Sequence, residues 1–391
     1  MSAPDVISLG CRLNIAESEK LRAMLPNDED VVVINSCAVT NEAVRQTRQA
    51  IRKARRARPD ARLLVTGCAA DIERQQLADM PEVDGLIANE TKLDPRAWNL
   101  PTDTAPLAPT KTRAFIAVQN GCDHACTFCI IPQGRGQSRS LTISEVLAEV
   151  EQHVELGARE VVLTGVDVTS WGHDLPDTPP LGALVSAILD HFPTLTRLRM
   201  SSLDGIEIDE ALFELFASEK RLMPHLHLSL QHGHDLILKR MKRRHLRGDA
   251  VGLVAKLKAR RPEIAIGADL IAGFPTETDE HHSANLSVIR ELGIVHGHIF
   301  PFSPREGTPA ARMPQHGRAL IKARAAELRA AAAEVRTAWL NSLVGEPQRV
   351  LAEGDSTGYT ETYARVALPE GTQRGDIITI RPKRLGEGLL Q

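Results

Sequence analysis

Three cysteines, Cys122, Cys126 and Cys129, stand with three and then two residues between them in the stretch Asn-Gly-Cys-Asp-His-Ala-Cys-Thr-Phe-Cys-Ile-Ile-Pro that begins at Asn120. That spacing confines the segment to a short loop that turns three thiols toward one centre. A four-iron cluster normally takes four cysteine ligands, so three would leave one iron open to a reacting molecule. The same residues also fit a zinc site completed by His124, or three thiols that are simply buried.

The chain has six cysteines, and the other three are dispersed at Cys11, Cys37 and Cys68. Three disulfides would require an oxidising compartment. No basic segment followed by an apolar core opens the chain, and no run of about 18 apolar residues could span a membrane. A cytoplasmic, reducing location is therefore expected, where two sets of three cysteines read as two metal sites. At 391 residues, 42% hydrophobic and 25% charged, the chain is large enough for two or three folded domains. A net charge of −3 supplies no global attraction for nucleic acid. Contact with RNA would need local patches: Arg45, Arg48, Arg52 and Arg55 at helical spacing, and the basic run Lys239–Arg247.

Residues 1–100 alternate strand and helix. Continuous apolar runs at Asp5–Leu9, Val31–Asn35 and Arg62–Thr66 suggest a parallel sheet covered on both faces. Helices are expected at Ala16–Met24 and at Glu42–Arg58, the latter burying Val44, Thr47, Ile51 and Ala54. Cys11, Cys37 and Cys68 each fall just past a strand's C-terminal end, the edge where open α/β sheets bind ligands. The alternative for each is a small hydrophobe packed at a strand end. Leu100–Thr112, rich in Pro and Thr, reads as a linker. From about Lys111, six strand–helix units follow, with strands at Ala114–Gln119, Glu160–Thr164, Arg197–Ser201, His225–Gln231, Ile264–Ile271 and His296–Phe302. They suggest a complete or partial parallel barrel with its site at the C-terminal strand ends. In His225–Gln231 the leucines alternate with His225, His227, Ser229 and Gln231, so a polar file would line the barrel interior. Beyond about residue 340 the Gly-punctuated strands Val350–Glu353, Tyr359–Leu368 and Asp376–Arg381 read as a small all-β module. Tyr359 and Tyr363 on one strand face, with Arg365, Arg381, Lys383 and Arg384, could hold RNA; alternatively they fill the module's own core.

The Cys-x3-Cys-x2-Cys loop, with Gly121 before it and Ile130-Ile131-Pro132 and Arg135-Gly136 after it, resembles the radical S-adenosylmethionine (SAM) enzymes, in their methylthiotransferase branch. Cys11 in Gly-Cys-Arg-Leu-Asn, Cys37 in Asn-Ser-Cys-Ala-Val-Thr and Cys68 in Thr-Gly-Cys-Ala match that family's second set of ligand positions. Asn35–Thr40, followed by Arg45-Gln46-Thr47-Arg48-Gln49, is similar to the branch that modifies threonylcarbamoyladenosine in tRNA. Other branches modify isopentenyladenosine in tRNA or an aspartate of a ribosomal protein. A protein that merely holds two clusters, for electron transfer or as a scaffold, is the reading from another class.

The resemblance implies an N-terminal doubly wound parallel α/β domain (1–100), a partial (β/α)6 radical SAM barrel (111–340) and a short TRAM-like β-barrel module (341–391). It implies two [4Fe-4S] clusters, on Cys122, Cys126 and Cys129 and on Cys11, Cys37 and Cys68, with SAM as cosubstrate. Gly165, in the Thr164-Gly165-Val166 strand end, would meet the methionine end of SAM, and Ser229, Gln231 and Asp269 would make further contacts. The Gly273-Phe274-Pro275 turn would shape the same pocket. The implied partners are a tRNA, an electron donor such as flavodoxin or ferredoxin, and a sulfur source, with no membrane. At His232-Gly233-His234 the chain departs from the branch, which often has Ser and Cys there; neither histidine is expected to ligate a cluster.

Overall fold

The computed structural model describes residues 4–26, 29–100, 112–354 and 356–391. The expected linker lies, apart from its two end residues, outside the described residues. Four parallel strands open the chain, side by side in sequence order: β1 (Asp5–Ser8), β2 (Val31–Ser36), β3 (Arg62–Gly67) and β4 (Gly85–Leu86). Every residue of β2 is buried, because helices cover both faces of the sheet. Val31 and Val33 pack with Leu21 and Leu25 at helix α1 (Arg12–Met24). Val32 and Ile34 pack with Val44 and Ile51 of α2 (Asn41–Ala57). Thr40 caps α2, its hydroxyl accepting the Ala43 amide at 3.1 Å, and the buried face is Val44, Thr47, Ile51 and Ala54 as read from the sequence. α1 starts four residues before the expected Ala16. Its first two turns bury the polar Asn14 and Glu17 beside Leu13 and Ala16, so apolar periodicity marks its start poorly. Two short helices follow, α3 (Cys68–Ile72) and α4 (Arg74–Ala78).

The second sheet system begins with β5 (Arg113–Ala117). A two-residue antiparallel pair, β6 (Gln119–Asn120) and β7 (Arg139–Ser140), brackets the clustered cysteines and helix α5 (Ile131–Arg135). Helix α6 (Ile143–Glu155) opens on a capping box formed by Thr142 and Glu145. β5, β8 (Glu160–Thr164) and β9 (Arg197–Met200) are parallel, with α7 (Leu181–His191) between the last two. β10 (Ser202–Leu203), β11 (His225–Gln231), β12 (Ala265–Ala272) and β13 (Ile294–Pro301) form a second parallel sheet. Only Ser201 separates β9 from β10, so the chain runs through six parallel strand positions, a partial barrel. Its remaining helices are α8 (Glu210–Ser218), α9 (Asp235–Arg240), α10 (Arg247–Arg260), α11 (Asp279–Leu292) and the long α12 (Arg318–Ser342). Leu226, Leu228 and Leu230 join Ala250, Val254 and Leu257 of α10 in the largest core. Strand alternation then turns His225, His227, Ser229 and Gln231 toward the barrel interior.

Six short strands end the chain: β14 (Gln348–Ala352), β15 (Thr357–Thr360), β16 (Arg365–Ala367), β17 (Ile377–Ile380), β18 (Leu385–Gly386) and β19 (Leu389–Leu390). They form one sheet in the order β17-β14-β15-β16-β19-β18. The single strand expected over Tyr359–Leu368 is instead a hairpin. Tyr363 sits in its turn at φ +66, a left-handed conformation that glycine or asparagine would have signalled and tyrosine does not. The two tyrosines therefore do not share a strand face. Tyr363 faces the barrel, with the Arg199 guanidinium 3.7 Å from its ring centroid and the His225 ring 5.0 Å away. The module's own core is made instead by Val350, Ala364, Val366 and Leu390 with Leu340.

Candidate active site

The register of β1, β2 and β3 sets their C-terminal ends level, Ser8 opposite Asn35 and Asn35 opposite Thr66. Cys11 caps the start of α1, Cys37 follows β2 directly, and Cys68 follows β3 and opens α3. Gly10, at φ +98, lies so close to Cys37 that an added Cβ would stand 2.7 Å from the Cys37 Cβ. Burial, with smaller contributions from Cys68 and Cys11, pushes the Cys37 thiol up to about 11. Three cysteines far apart in sequence thus share one electrostatic centre at the sheet edge. Arg135 balances them: its guanidinium is coupled to both Cys68 and Cys11.

The clustered cysteines sit at the C-terminal end of β5, the first barrel strand. The loop can turn there only because Gly121 adopts φ +75, where an added Cβ would be 1.8 Å from the Gln137 carbonyl oxygen. Gln119 ties the loop to the neighbouring strand end. Its side-chain amide donates to the Gly121 carbonyl at 2.8 Å, and its carbonyl oxygen accepts the amides of Val166 and Asp167 at 3.1 and 2.9 Å. Gly165 has no room for a side chain, since its Cβ would lie 2.7 Å from the Gln119 backbone oxygen and 2.9 Å from its Oε1. Burial pushes Cys122 up to about 12 and Cys129 up to about 11. Arg243 reaches the Cys126 sulfur at 3.6 Å while held by Asp204 at 2.7 Å. His124 pairs with Asp167 at 2.7 Å, and hydrogen bonds to Asp167 and Glu207 raise it to about 10. Cys122, His124 and Asp167 present ligand atoms within 4.8 Å of one another, a set that holds one clustered cysteine rather than the three with His124 that the zinc alternative requires.

The segments that carry the two triads pack together: Cys68 opens α3, an added Cβ on Gly134 of α5 would stand 3.4 Å from the Cys68 carbonyl oxygen, and Asn89 bridges the two, its amide 3.9 Å from the Cys68 sulfur and hydrogen-bonded to the Gly134 carbonyl. The donor chemistry fits two clusters: each triad offers three thiols, and a guanidinium stands by to offset thiolate charge, Arg135 at one and Arg243 at the other.

The other expected residues gather at the same end of the barrel. Ser229 and Gln231 finish β11, Gln231 at φ +67, and Asp269 lies on β12 beside them. Asp269 accepts from His227 and His298, both at 3.1 Å. Although burial alone would raise its carboxyl, the two histidines hold it far below the usual carboxylate range. His227 is thus both buried and hydrogen-bonded, on the interior file. His232 bonds Glu277 at 3.2 Å and His234 caps α9; neither hydrogen-bonds a cysteine. Glu277 also accepts the Gly273 amide at 3.0 Å, bracing the Gly273-Phe274-Pro275 turn.

The basic patches differ from their sequence appearance. Arg45, Arg48, Arg52 and Arg55 each meet a carboxylate: Glu42, Glu73, Glu82 and Asp84. In the second run, Arg243, Arg244 and Arg247 pair with Asp204, Glu207 and Glu291, leaving Lys239 and Lys242 exposed. Glu42 shares α2 with Arg45; the other carboxylates come from elsewhere in the fold, which helical spacing does not show. Sequence reasoning also passed over Gln119 and the role of Glu17. Their only signals were a polar residue at a strand's end and an acid in an otherwise buried helix face.

Residues 116–286 match the family described as the radical SAM superfamily, and residues 5–88 match uncharacterized protein family UPF0004. The threonylcarbamoyladenosine tRNA methylthiotransferase MtaB of Rickettsia prowazekii is 43% identical over 99% of this chain and 96% of its own. The tRNA-2-methylthio-N(6)-dimethylallyladenosine synthase of Cereibacter sphaeroides is 31% identical over 95% of this chain and 94% of its own. Among solved structures, the radical SAM methyltransferase TsrM from Kitasatospora setae shares the fold. It has a TM-score of 0.52 at 16% identity and covers 75% of this chain and 68% of its own. No helix among the described residues is long and apolar enough to cross a membrane. A cysteine loop at the first barrel strand, a second cysteine set on the preceding sheet and full-length similarity agree: the chain belongs to the radical SAM methylthiotransferase family, in its threonylcarbamoyladenosine tRNA branch.

Proposed function

We propose that this chain adds a methylthio group to C2 of N6-threonylcarbamoyladenosine at position 37 of tRNA, next to the anticodon, in the cytoplasm. Cys122, Cys126 and Cys129 hold one [4Fe-4S] cluster and Cys11, Cys37 and Cys68 a second, in a chain divided at about 1–100, 111–340 and 341–391. The observation that carries this reading is the packing of the two cysteine-bearing segments against each other, with Asn89 reaching from the Cys68 sulfur to the Gly134 carbonyl just past the cysteine loop. Two incomplete sets brought to one place suit a reaction that needs a radical source and a sulfur carrier within reach of one substrate carbon. The 43% identity to the MtaB relative supports the nucleoside assignment over isopentenyladenosine or a ribosomal-protein aspartate.

When bound, one cluster supplies the electron that cleaves SAM and the other carries the sulfur to be transferred. The chain's own residues do the positioning. Gln119 locks the cysteine loop to the Gly165–Asp167 turn, so that ligands and the expected SAM-binding edge move as one body. Arg243 and Arg135 offset thiolate charge. Ser229, Gln231 and the braced Asp269 line the same end of the barrel, as further SAM contacts. The Gly273-Phe274-Pro275 turn sets Phe274 in the apolar cluster against which Phe128 of the cysteine loop packs, and so shapes the same pocket. An electron donor such as flavodoxin or ferredoxin and a sulfur source complete the cycle.

Anaerobic reconstitution with SAM, a reductant and tRNA tests this. Mass spectrometry should find the methylthio-threonylcarbamoyl nucleoside, together with 5′-deoxyadenosine. Cys37→Ala should lose part of the iron and the methylthio product while still yielding 5′-deoxyadenosine. Absence of 5′-deoxyadenosine from the native chain would favour a two-cluster electron carrier.

A further inference from the structure

Arg12, the residue after Cys11, does not stay with its own sheet. Its guanidinium carbon lies 5.5 Å from the Tyr363 ring centroid, in the interior of the barrel, where Arg113 and Arg199 approach the same ring at 4.9 and 3.7 Å. These cations differ in status. Arg113 pairs with Glu160 at 2.6 Å and Glu353 at 2.5 Å, and Arg199 pairs with Glu160 at 2.9 Å. Arg12 has no ion pair with any carboxylate of the described residues, and its ring contact is with a neutral partner. His225 and His296, 5.0 and 6.3 Å from the same ring, are kept uncharged by burial and so add no further cation. A half-buried guanidinium facing a polar interior without a counter-ion is stable in water-filled space and gains most when an anion enters.

The position narrows the anion. Arg12 is one residue from Cys11, so whatever it binds lies within a side chain's length of the Cys11, Cys37 and Cys68 centre. A threonylcarbamoyl adenosine carries its only carboxylate on the threonine at N6, folded toward the N1 side of the ring, a few bonds from C2. With C2 at the sulfur-bearing centre, that carboxylate falls within reach of the neighbouring guanidinium.

We propose that Arg12 binds the threonyl carboxylate of the substrate nucleoside and thereby selects it over N6-modified adenosines whose substituent is uncharged. The proposal rests on the nucleoside assignment above and adds the residue that enforces it. An apolar substituent would displace water from Arg12 and leave the cation unpaired, which is how a polar site rejects an analogue that lacks the matching group. Guanidinium and carboxylate can pair through two parallel hydrogen bonds, a geometry lysine reproduces only in part.

The test is direct binding by the full, cluster-loaded chain. The probes are two tRNA anticodon arms carrying N6-threonylcarbamoyladenosine, one with the free carboxylate and one as its methyl ester. The native chain should bind the acid about 10- to 100-fold more tightly than the ester, the range for a charge-assisted pair. Arg12→Gln should bind both arms alike, at about the native affinity for the ester, and Arg12→Lys should keep a reduced preference for the acid. Equal native affinities, or an Arg12→Gln chain that still prefers the acid, would overturn the proposal. Should Arg12→Gln not fold, the native and Arg12→Lys ratios decide. Failure of the nucleoside assignment looks different: the native chain would then bind neither arm better than an unmodified one and would form no methylthio product.

Discussion

Arg135 and Glu17 form an ion pair between the segment that follows the barrel's cysteine loop and the first helix of the N-terminal sheet, Nη1 to Oε1 2.8 Å, both side chains 2% exposed. Lys92 binds the other oxygen of Glu17, and Asn14 and Asn120 take further donors of Arg135. Burial alone would raise the Glu17 carboxyl, but Lys92 and Arg135 hold it below the usual range. The pair fixes how one triad sits against the other. Glu17→Gln leaves two buried cations facing each other, and removing one partner of such a pair costs roughly 3–5 kcal/mol. Urea denaturation should show that loss. Iron analysis should show the Cys11, Cys37 and Cys68 centre filling poorly.

Gln119 is expected to behave as a positioning residue. Gln119→Ala removes the acceptor of two backbone amides and the donor to Gly121, leaving buried groups unpaired at about 1–3 kcal/mol each. The KM for SAM should rise with little change in stability of the N-terminal sheet, and Gln119→Glu should not restore it, because it lacks the donor. A KM unchanged in Gln119→Ala would remove the clamp from the account.

Two glycine substitutions should act in opposite directions. Gly121→Ala drives a Cβ to 1.8 Å from a carbonyl oxygen at a left-handed position, so the loop cannot close and the first cluster should be lost. Gly252→Ala, inside α10 with nothing within 4 Å of the new Cβ, should stabilise by about 0.5–1 kcal/mol through helix propensity. Iron content and thermal melting read the two effects separately.

Acid should loosen the base of the barrel in a defined window. Glu160 is fully buried, and burial alone would raise it, but Arg199 and Arg113 hold it down to about 2 from an ordinary 4.5. A depressed carboxyl contributes stability above its unfolded value and loses it as pH falls through the folded one, here from about 4.5 to about 2. The contribution is about 3 kcal/mol. His296, lowered to about 3 by burial, works in the same direction from about 6.5 downward, since the unfolded chain takes up its proton first. Urea midpoints for Glu160→Gln should be lower than native at pH 7, and the gap should narrow toward pH 3. A gap that does not change with pH would contradict this assignment.

Much of the fold was legible because burial on both sides of a strand forces continuous apolar runs, as in Val31–Ser36, and because Leu226, Leu228 and Leu230 alternate with polar residues. The site's cysteines were legible for a related reason: thiol chemistry tolerates no substitute, so spacing and strand-end position expose them. The start of α1 was not, because Asn14 and Glu17 are buried by partners from elsewhere in the chain. Nor was the hairpin at Tyr363, whose left-handed turn is stabilised by packing against the barrel rather than by a turn residue.

By itself, the sequence determined which side chains could hold clusters and that two triads exist, since ligand identity is a local property. Only the tertiary structure decided that the Cys68 and Cys129 segments pack together, that Arg48, Arg52 and Arg55 of α2 meet carboxylates from other elements, and that Arg12 meets no carboxylate among the described residues. Those are properties of distance between residues far apart in the chain. Charge interacts through space, and no reading along the chain measures that separation.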